Sequence, residues 1–119
     1  MGYNKLQAYQ KAFNLALKIF EISRTFPPEE KYSLIDQIRR SSRSVCTNMG
    51  EAYRKRKYEK HFVSKLSDSD SENTETQIWL DFALAFNYIS EQIHKELKAE
   101  SVEIGKLINY MMNNPDKFT

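Results

Sequence analysis

One cysteine, three glycines and three prolines are all that this 119-residue chain holds of the residues that staple, bend or break a backbone. A lone Cys46 excludes an intrachain disulfide and fits a reducing compartment. So few glycines and prolines exclude a fold assembled from many tight turns. No run approaches the ~20 apolar residues that a membrane span needs. The residues after Met1 lack the apolar core of a signal peptide, so the expected address is the cytoplasm, with no membrane partner. The length is that of one domain, residues 1–119, large enough for a single continuous core.

What the chain does have is charge, and it is unevenly placed. The net charge is only +2. Residues 39–65 nevertheless hold nine basic side chains against Glu51 and Glu59, whereas residues 66–119 hold ten acidic against four basic. Two readings stay open: internal pairing between the zones, or a cationic surface that meets a polyanion.

The apolar residues recur at helical spacing in four segments. Over 5–25, Leu6, Tyr9, Phe13, Leu17 and Phe20 step by three and four, the stripe of a core-facing helix, with Asn4 and Gln7 as a capping pair and Pro27-Pro28 as the exit. A second helix begins at Ser33, with Asp36 at the capping-box distance, and buries Ile35, Ile38, Ser42, Val45, Met49 and Ala52. A third is expected from Tyr58 to Ile89. Its middle, Ser67 to Glu75, contains no apolar residue and reads alternatively as a loop. Phe62 and Leu80 on either side are eighteen residues apart, five full turns, which favours continuous helix with Ser69, Asn73 and Thr76 turned inward and in need of partners. A fourth helix follows a Ser90 cap, buries Ile93, Leu97, Ile104, Leu107, Ile108 and Met111, and stops near Asn114-Pro115. Short connections make consecutive helices antiparallel, so the expected fold is all-α, an up-down-up-down four-helix bundle.

Two helices carry more apolar surface than one stripe requires. Leu15, Ile19, Ile22 and Phe26 lie roughly opposite Leu6 and Phe13, and Trp79, Phe82 and Phe86 stand away from the Leu80–Leu84 line. A bundle helix touches two neighbours and needs a wide arc, but an arc this wide points to a subunit contact formed by these seven residues.

The blocks Phe26-Pro27-Pro28-Glu29-Glu30-Lys31-Tyr32, Gln37-Ile38-Arg39-Arg40-Ser41-Ser42 and Asn48-Met49-Gly50-Glu51-Ala52 resemble the signature of a bacterial four-helix-bundle family. That family includes the protein encoded in intervening sequences of 23S ribosomal RNA genes. Phe62 to Ser67, Glu72 to Leu80 and Glu103 to Ile108 are similar to its third and fourth helices. The resemblance implies an antiparallel bundle assembling as a ring-like homopentamer, with no enzymatic activity attached. A related branch, the accessory protein of diversity-generating retroelements, is a basic pentamer that binds nucleic acid and a reverse transcriptase. Two positions depart from the pattern. Cys46 stands where the family often has proline, which implies a straighter second helix, and Asp68-Ser69-Asp70 replaces a small, apolar stretch.

Candidate chemistry is thin. Glu91-Gln92-Ile93-His94 has the spacing of half a di-iron site, but such a site needs that motif on two helices and a glutamate from each of two more. His61 lies in no second motif, since Tyr58 occupies the glutamate position. No phosphate-binding glycine loop or paired-cysteine spacing occurs, and the acidic run lacks a calcium loop's glycine. No spacing suggests a catalytic triad, and Cys46 reads as a small packing residue. The chain is expected to be no enzyme and to hold no metal or cofactor.

The basic segment is different. With Ile38, Val45 and Met49 inward, Arg40, Arg43 and Arg54 fall on the outward side of the second helix, and Lys55, Arg56 and Lys57 extend that row into the turn. Such a row is the footprint of a phosphate-binding surface. Part of the segment is expected to pair inward, with Glu72 and Glu75 near Arg39 or Arg43. The leading expectation is an oligomer binding RNA or DNA through Arg40, Arg43, Arg54, Lys55, Arg56 and Lys57, as an adaptor for another protein. The alternative is a purely protein-binding or structural homo-oligomer.

Overall fold

Four amphipathic segments with almost no breaker residues inside them have one economical arrangement, and the chain adopts it. A computed structural model describes residues 2–119. Its helices are α1 (Gln7–Ser23), α2 (Leu34–Arg54), α3 (Glu59–Ala85) and α4 (Glu91–Asn113), with 3-10 turns at Tyr3–Lys5, Pro28–Glu30 and Pro115–Phe118. Among the described residues there is no strand. α1 packs on α2 and α4, and α3 packs on the same two. The helices therefore stand at the corners of a square, with α1 diagonal to α3 and α2 diagonal to α4, as in an up-down-up-down bundle.

The helix ends differ in detail from the capping pairs expected. Leu6, not Asn4, is the N-cap of α1, and it makes no side-chain bond; the Asn4 carbonyl instead accepts from Gln10 Nε2 at 3.0 Å. Ser33 occupies the N-cap of α2 but hands the work to Glu30. Its hydroxyl donates to Glu30 Oε1, and the same oxygen accepts the Leu34 N–H at 3.3 Å. A carboxylate there also suits the positive end of the helix dipole. α3 stops at Ala85 rather than Ile89 because Asn87 turns left-handed, with φ of 63°. The Tyr88 and Asn87 N–H groups then close onto the Ala83 and Leu84 carbonyls, both at 2.9 Å. This is a Schellman stop with asparagine in the usual place of glycine. Ser90 caps α4 as expected, accepting the Ile93 N–H at 3.1 Å.

The core contradicts the expected register of α1. Ala8, Ala12, Leu15, Ile19 and Ser23 are buried, as is Phe26 beyond the helix end, whereas Phe13 is 43% and Leu17 53% exposed. The assignment of Leu15, Ile19, Ile22 and Phe26 to an outer contact face is therefore overturned. Three of them are core, and Ile22 is half-buried against it. The physical reason is that α1 has two apolar arcs, and the one completed by Ala8, Ala12 and Ser23 lets neighbouring backbones approach more closely.

α3 is continuous through Ser67–Glu75. Its middle presents Ser69, Asn73 and Thr76 to the core, and each finds a partner. Ser69 Oγ donates to the Val45 carbonyl at 2.7 Å, and the Thr76 and Ser41 hydroxyls share a hydrogen bond of 2.8 Å. Asn73 Nδ2 donates to the Ser101 carbonyl at 2.8 Å while its Oδ1 accepts from Ser101 Oγ at 2.9 Å. Gly105 makes the room, since a Cβ there would come within 3.3 Å of Asn73 Nδ2. Among the described residues no buried side-chain polar atom is left without a partner.

Candidate nucleic-acid interface

The polar layer fixes the α2–α3 register and, with it, the fate of the basic residues. Ser41 faces Thr76, so Arg40 beside it leans toward α3 and reaches Glu72 and Glu75. Arg40 Nη1 donates to Glu72 Oε2 at 2.8 Å and its Nη2 meets Glu75 Oε1. The expected pairing of this acidic run thus exists, but through Arg40 rather than Arg39 or Arg43. Arg40 is correspondingly removed from the set of free outward cations. Arg39 leans the other way, toward α1, donating through Nε to Ser23 Oγ at 2.8 Å, with its guanidinium 4.5 Å from the Phe20 ring centre. Lys65, at the far end of the segment, pairs with Glu51 at 3.0 Å.

The remaining cations are left over. Arg43, Arg54, Lys55 and Lys57 are exposed and Arg56 is half-buried. Among the described residues none of the five has a carboxylate within ion-pairing distance. Arg43 lies 5.9 Å from the Phe20 ring and Arg56 4.1 Å from the Tyr53 ring. Arg56 Nη1 also donates to the Tyr53 carbonyl at 2.9 Å. Two shallow grooves run along this face. One, of about 720 Å³, is bounded by Gly2, Tyr3, Tyr9, Cys46, Thr47, Gly50, Tyr53, Arg54, Arg56 and Glu51, the last already paired with Lys65. The other, of about 540 Å³, is bounded by Lys31, Tyr32, Ile35, Arg39, Arg40, Arg43, Ser44, Thr47 and one acidic residue, Asp36. Thr47 belongs to both, so the grooves meet. Sequence reasoning missed the tyrosines because it followed charge alone. Cys46 forms part of one wall but is buried, and burial pushes its thiol up to about 11, leaving it protonated and inert at neutral pH.

Of the residues expected at a subunit contact, Trp79 is half-buried while Phe82 and Phe86 are 45% and 51% exposed. Trp79, Phe82, Phe86 and Tyr88 form a ladder of rings 5.6–5.8 Å apart, and Ile78 extends the exposed stripe. On α1 the exposed apolar residues are Phe13 and Leu17, which the expected register had placed inside.

His94 does not lie in a metal cluster. Its Nε2 is 2.7 Å from Asp81 Oδ1, which Lys98 also approaches at 3.0 Å. Among the described residues no group of three or more His, Cys, Asp and Glu is placed to hold a metal ion, and no helix is long and apolar enough to cross a membrane.

No curated protein matches the chain. Among solved structures it is similar to the crystal structure of a protein of unknown function from the S23 ribosomal protein family of Bacteroides thetaiotaomicron VPI-5482. The two are 26% identical, with 89% of this chain and 95% of that chain covered and a TM-score of 0.81. The family model of the 23S rRNA-intervening sequence protein matches residues 4–110, nearly the whole chain, and the chain belongs to that family.

Proposed function

We propose that the chain is a non-enzymatic, self-assembling helical module that holds RNA or DNA against the outer face of α2. One observation carries the reading: Glu72 and Glu75 are spent on Arg40, while among the described residues Arg43, Arg54, Lys55, Arg56 and Lys57 have no carboxylate partner, and Arg43, Arg54 and Arg56 line the joined grooves of α2. Unpaired cations in a row attract phosphates and release their counterions. Self-assembly is supported by the exposed apolar stripes on α1 and α3, which stand at opposite corners of the bundle. Two different patches on opposite sides favour a head-to-tail contact that closes into a ring, consistent with the pentamer implied by the resemblance.

The test is a salt titration of binding. Five phosphate contacts give log K against log salt a slope of roughly −3.5 on single strands and about −4.5 on duplex. Arg54→Ala with Arg56→Ala is expected to flatten these by about 1.4 and 1.8. Absence of binding at low salt refutes the reading. It would select a protein-binding or structural homo-oligomer, which the aromatic ladder of α3 favours.

A further inference from the structure

Each of the two cationic grooves on α2 contains an exposed tyrosine ring. Tyr32, 84% exposed, stands in the groove with Arg39 and Arg43, and Lys31 Nζ lies 5.3 Å from its ring centre. Tyr3, 47% exposed, stands in the groove with Arg54 and Arg56, braced edge-on by Tyr9 at 4.9 Å. An exposed tyrosine in a helical bundle has lost the burial that usually explains it, and two of them in one cationic track is a specific juxtaposition. Tyr3 packs beside Gly50 near the end of α2, and Tyr32 lies just before its start. At 1.5 Å per residue, the sixteen residues from Leu34 to Gly50 set the two rings roughly 24 Å apart along the helix. Phosphates alone would use only the cations. Rings offered at intervals between cations are the arrangement that takes unpaired bases by stacking.

We infer that the α2 track, on the reading proposed above, is selective for single-stranded nucleic acid, with unpaired bases stacking on Tyr32 and Tyr3 while Arg43, Arg54 and Arg56 hold the intervening phosphates. A duplex keeps its base faces inside the stack and offers the tyrosines nothing but edges and backbone. The shared chemistry is a phosphate chain with accessible base faces, which single-stranded RNA and single-stranded DNA both supply.

Fluorescence anisotropy distinguishes the possibilities, using a labelled RNA strand, the DNA strand of the same sequence and the corresponding DNA duplex at one low salt concentration. The expected result is that Tyr32→Ala weakens binding of one or both single strands about fivefold or more, Tyr32→Phe restores it to within twofold, and duplex affinity is unchanged by either. Tyr3→Ala is expected to act in the same direction. Because Tyr32 is 84% exposed, its replacement is expected to leave the fold intact, which circular dichroism checks. A loss confined to the RNA strand identifies the ribose polymer as ligand, and an equal loss on both identifies the base faces as sufficient. Binding that Tyr32→Ala leaves unchanged, or weakens equally on duplex, overturns the stacking inference while the phosphate-binding reading stands. No binding of any probe overturns both.

Discussion

Replacing Phe82 with glutamate separates the outer face of α3 from the core more sharply than any other single change. Phe82 is 45% exposed. For a ring of about 200 Å², that leaves roughly 90 Å² to be covered in an assembly, worth about 2 kcal/mol at 25 cal/mol per Å². Glutamate forfeits this and also carries a charge into the contact, which costs several kcal/mol more. The expected loss is about 5 kcal/mol per contact, more than a thousandfold in dissociation constant. Every contact of a closed ring contains one altered stripe, so the assembly is expected to fall to subunits at micromolar concentration. Folding should persist, since Phe82 is 45% exposed, lies outside the core and stacks beside Trp79 and Phe86. Phe82→Ala should give a graded result, about thirtyfold weaker. Ile19→Glu is the contrasting case: Ile19 is 0% exposed, and a charge there should unfold the subunit outright. Light scattering measures the mass and circular dichroism the helicity. A wild-type monomer at micromolar concentration, or an unchanged mass for Phe82→Glu, refutes the reasoning.

Three further outcomes follow from the interior and from the charge pattern. Asn73→Ala removes both hydrogen bonds to Ser101 and opens space beside Gly105, and is expected to cost about 2–3 kcal/mol in urea denaturation at fixed protomer concentration; a cost below about 0.5 kcal/mol would show the layer to be dispensable. Asp81 is held below the usual carboxylate range, first by the hydrogen bond with His94 and then by Lys98, so it stabilises the folded chain above the ordinary carboxylate pKa of about 4 and that stability is lost as pH falls below it. Asp81→Asn should therefore narrow the difference in denaturation midpoint between pH 7 and pH 3, and an unchanged difference would contradict the assignment. Releasing Arg40 by Glu72→Gln with Glu75→Gln adds a free cation to the groove, and the salt slope on single strands should steepen by about 0.7, a change absent if Arg40 cannot reach the ligand.

The helices of this bundle could be read from the chain because their core positions keep one period, even where the residues filling them are polar. Ser69, Asn73 and Thr76 occupy the phase set by Phe62, Leu66 and Leu80, and that phase carried α3 through a segment with no apolar residue. Periodicity could not say which arc of α1 faces inward, because both are apolar at the same spacing. The signal that decides it is size: Ala8, Ala12 and Ser23 complete the buried arc, and small residues are where helices come close. α3 hides its orientation similarly, with polar residues inside its middle and Ile78, Phe82 and Phe86 outside its second half. The cationic row was legible as a row, but Arg40 could not be told from Arg43 without the α2–α3 register, which the buried Ser41–Thr76 and Ser69–Val45 hydrogen bonds fix. The tyrosines escaped because neither belongs to the cationic row: Tyr3 lies ahead of α1 and Tyr32 two residues ahead of α2, and the fold brings them beside Arg54 and Arg43.

An assembly made through the α1 and α3 stripes would repeat the cationic track once per subunit, and the magnitudes decide how that repetition acts. The subunit measures 44 × 25 × 20 Å, so tracks on adjacent subunits would stand about 20–25 Å apart. The Debye length at physiological salt is about 8 Å, which leaves each track nearly blind to the charge of the next. Repetition therefore works through shared occupancy by one long strand rather than through a summed field. A strand of about seven nucleotides, some 24 Å at 3.4 Å each, covers one track and gains nothing from a second. Its affinity should be the same for the assembled protein and for Phe82→Glu subunits. A strand of about thirty nucleotides can bridge tracks, and dissociating the assembly should weaken its binding on the order of a hundredfold or more. If the short strand loses as much as the long one on dissociation, the neighbour contributes directly to each track and the argument from screening fails.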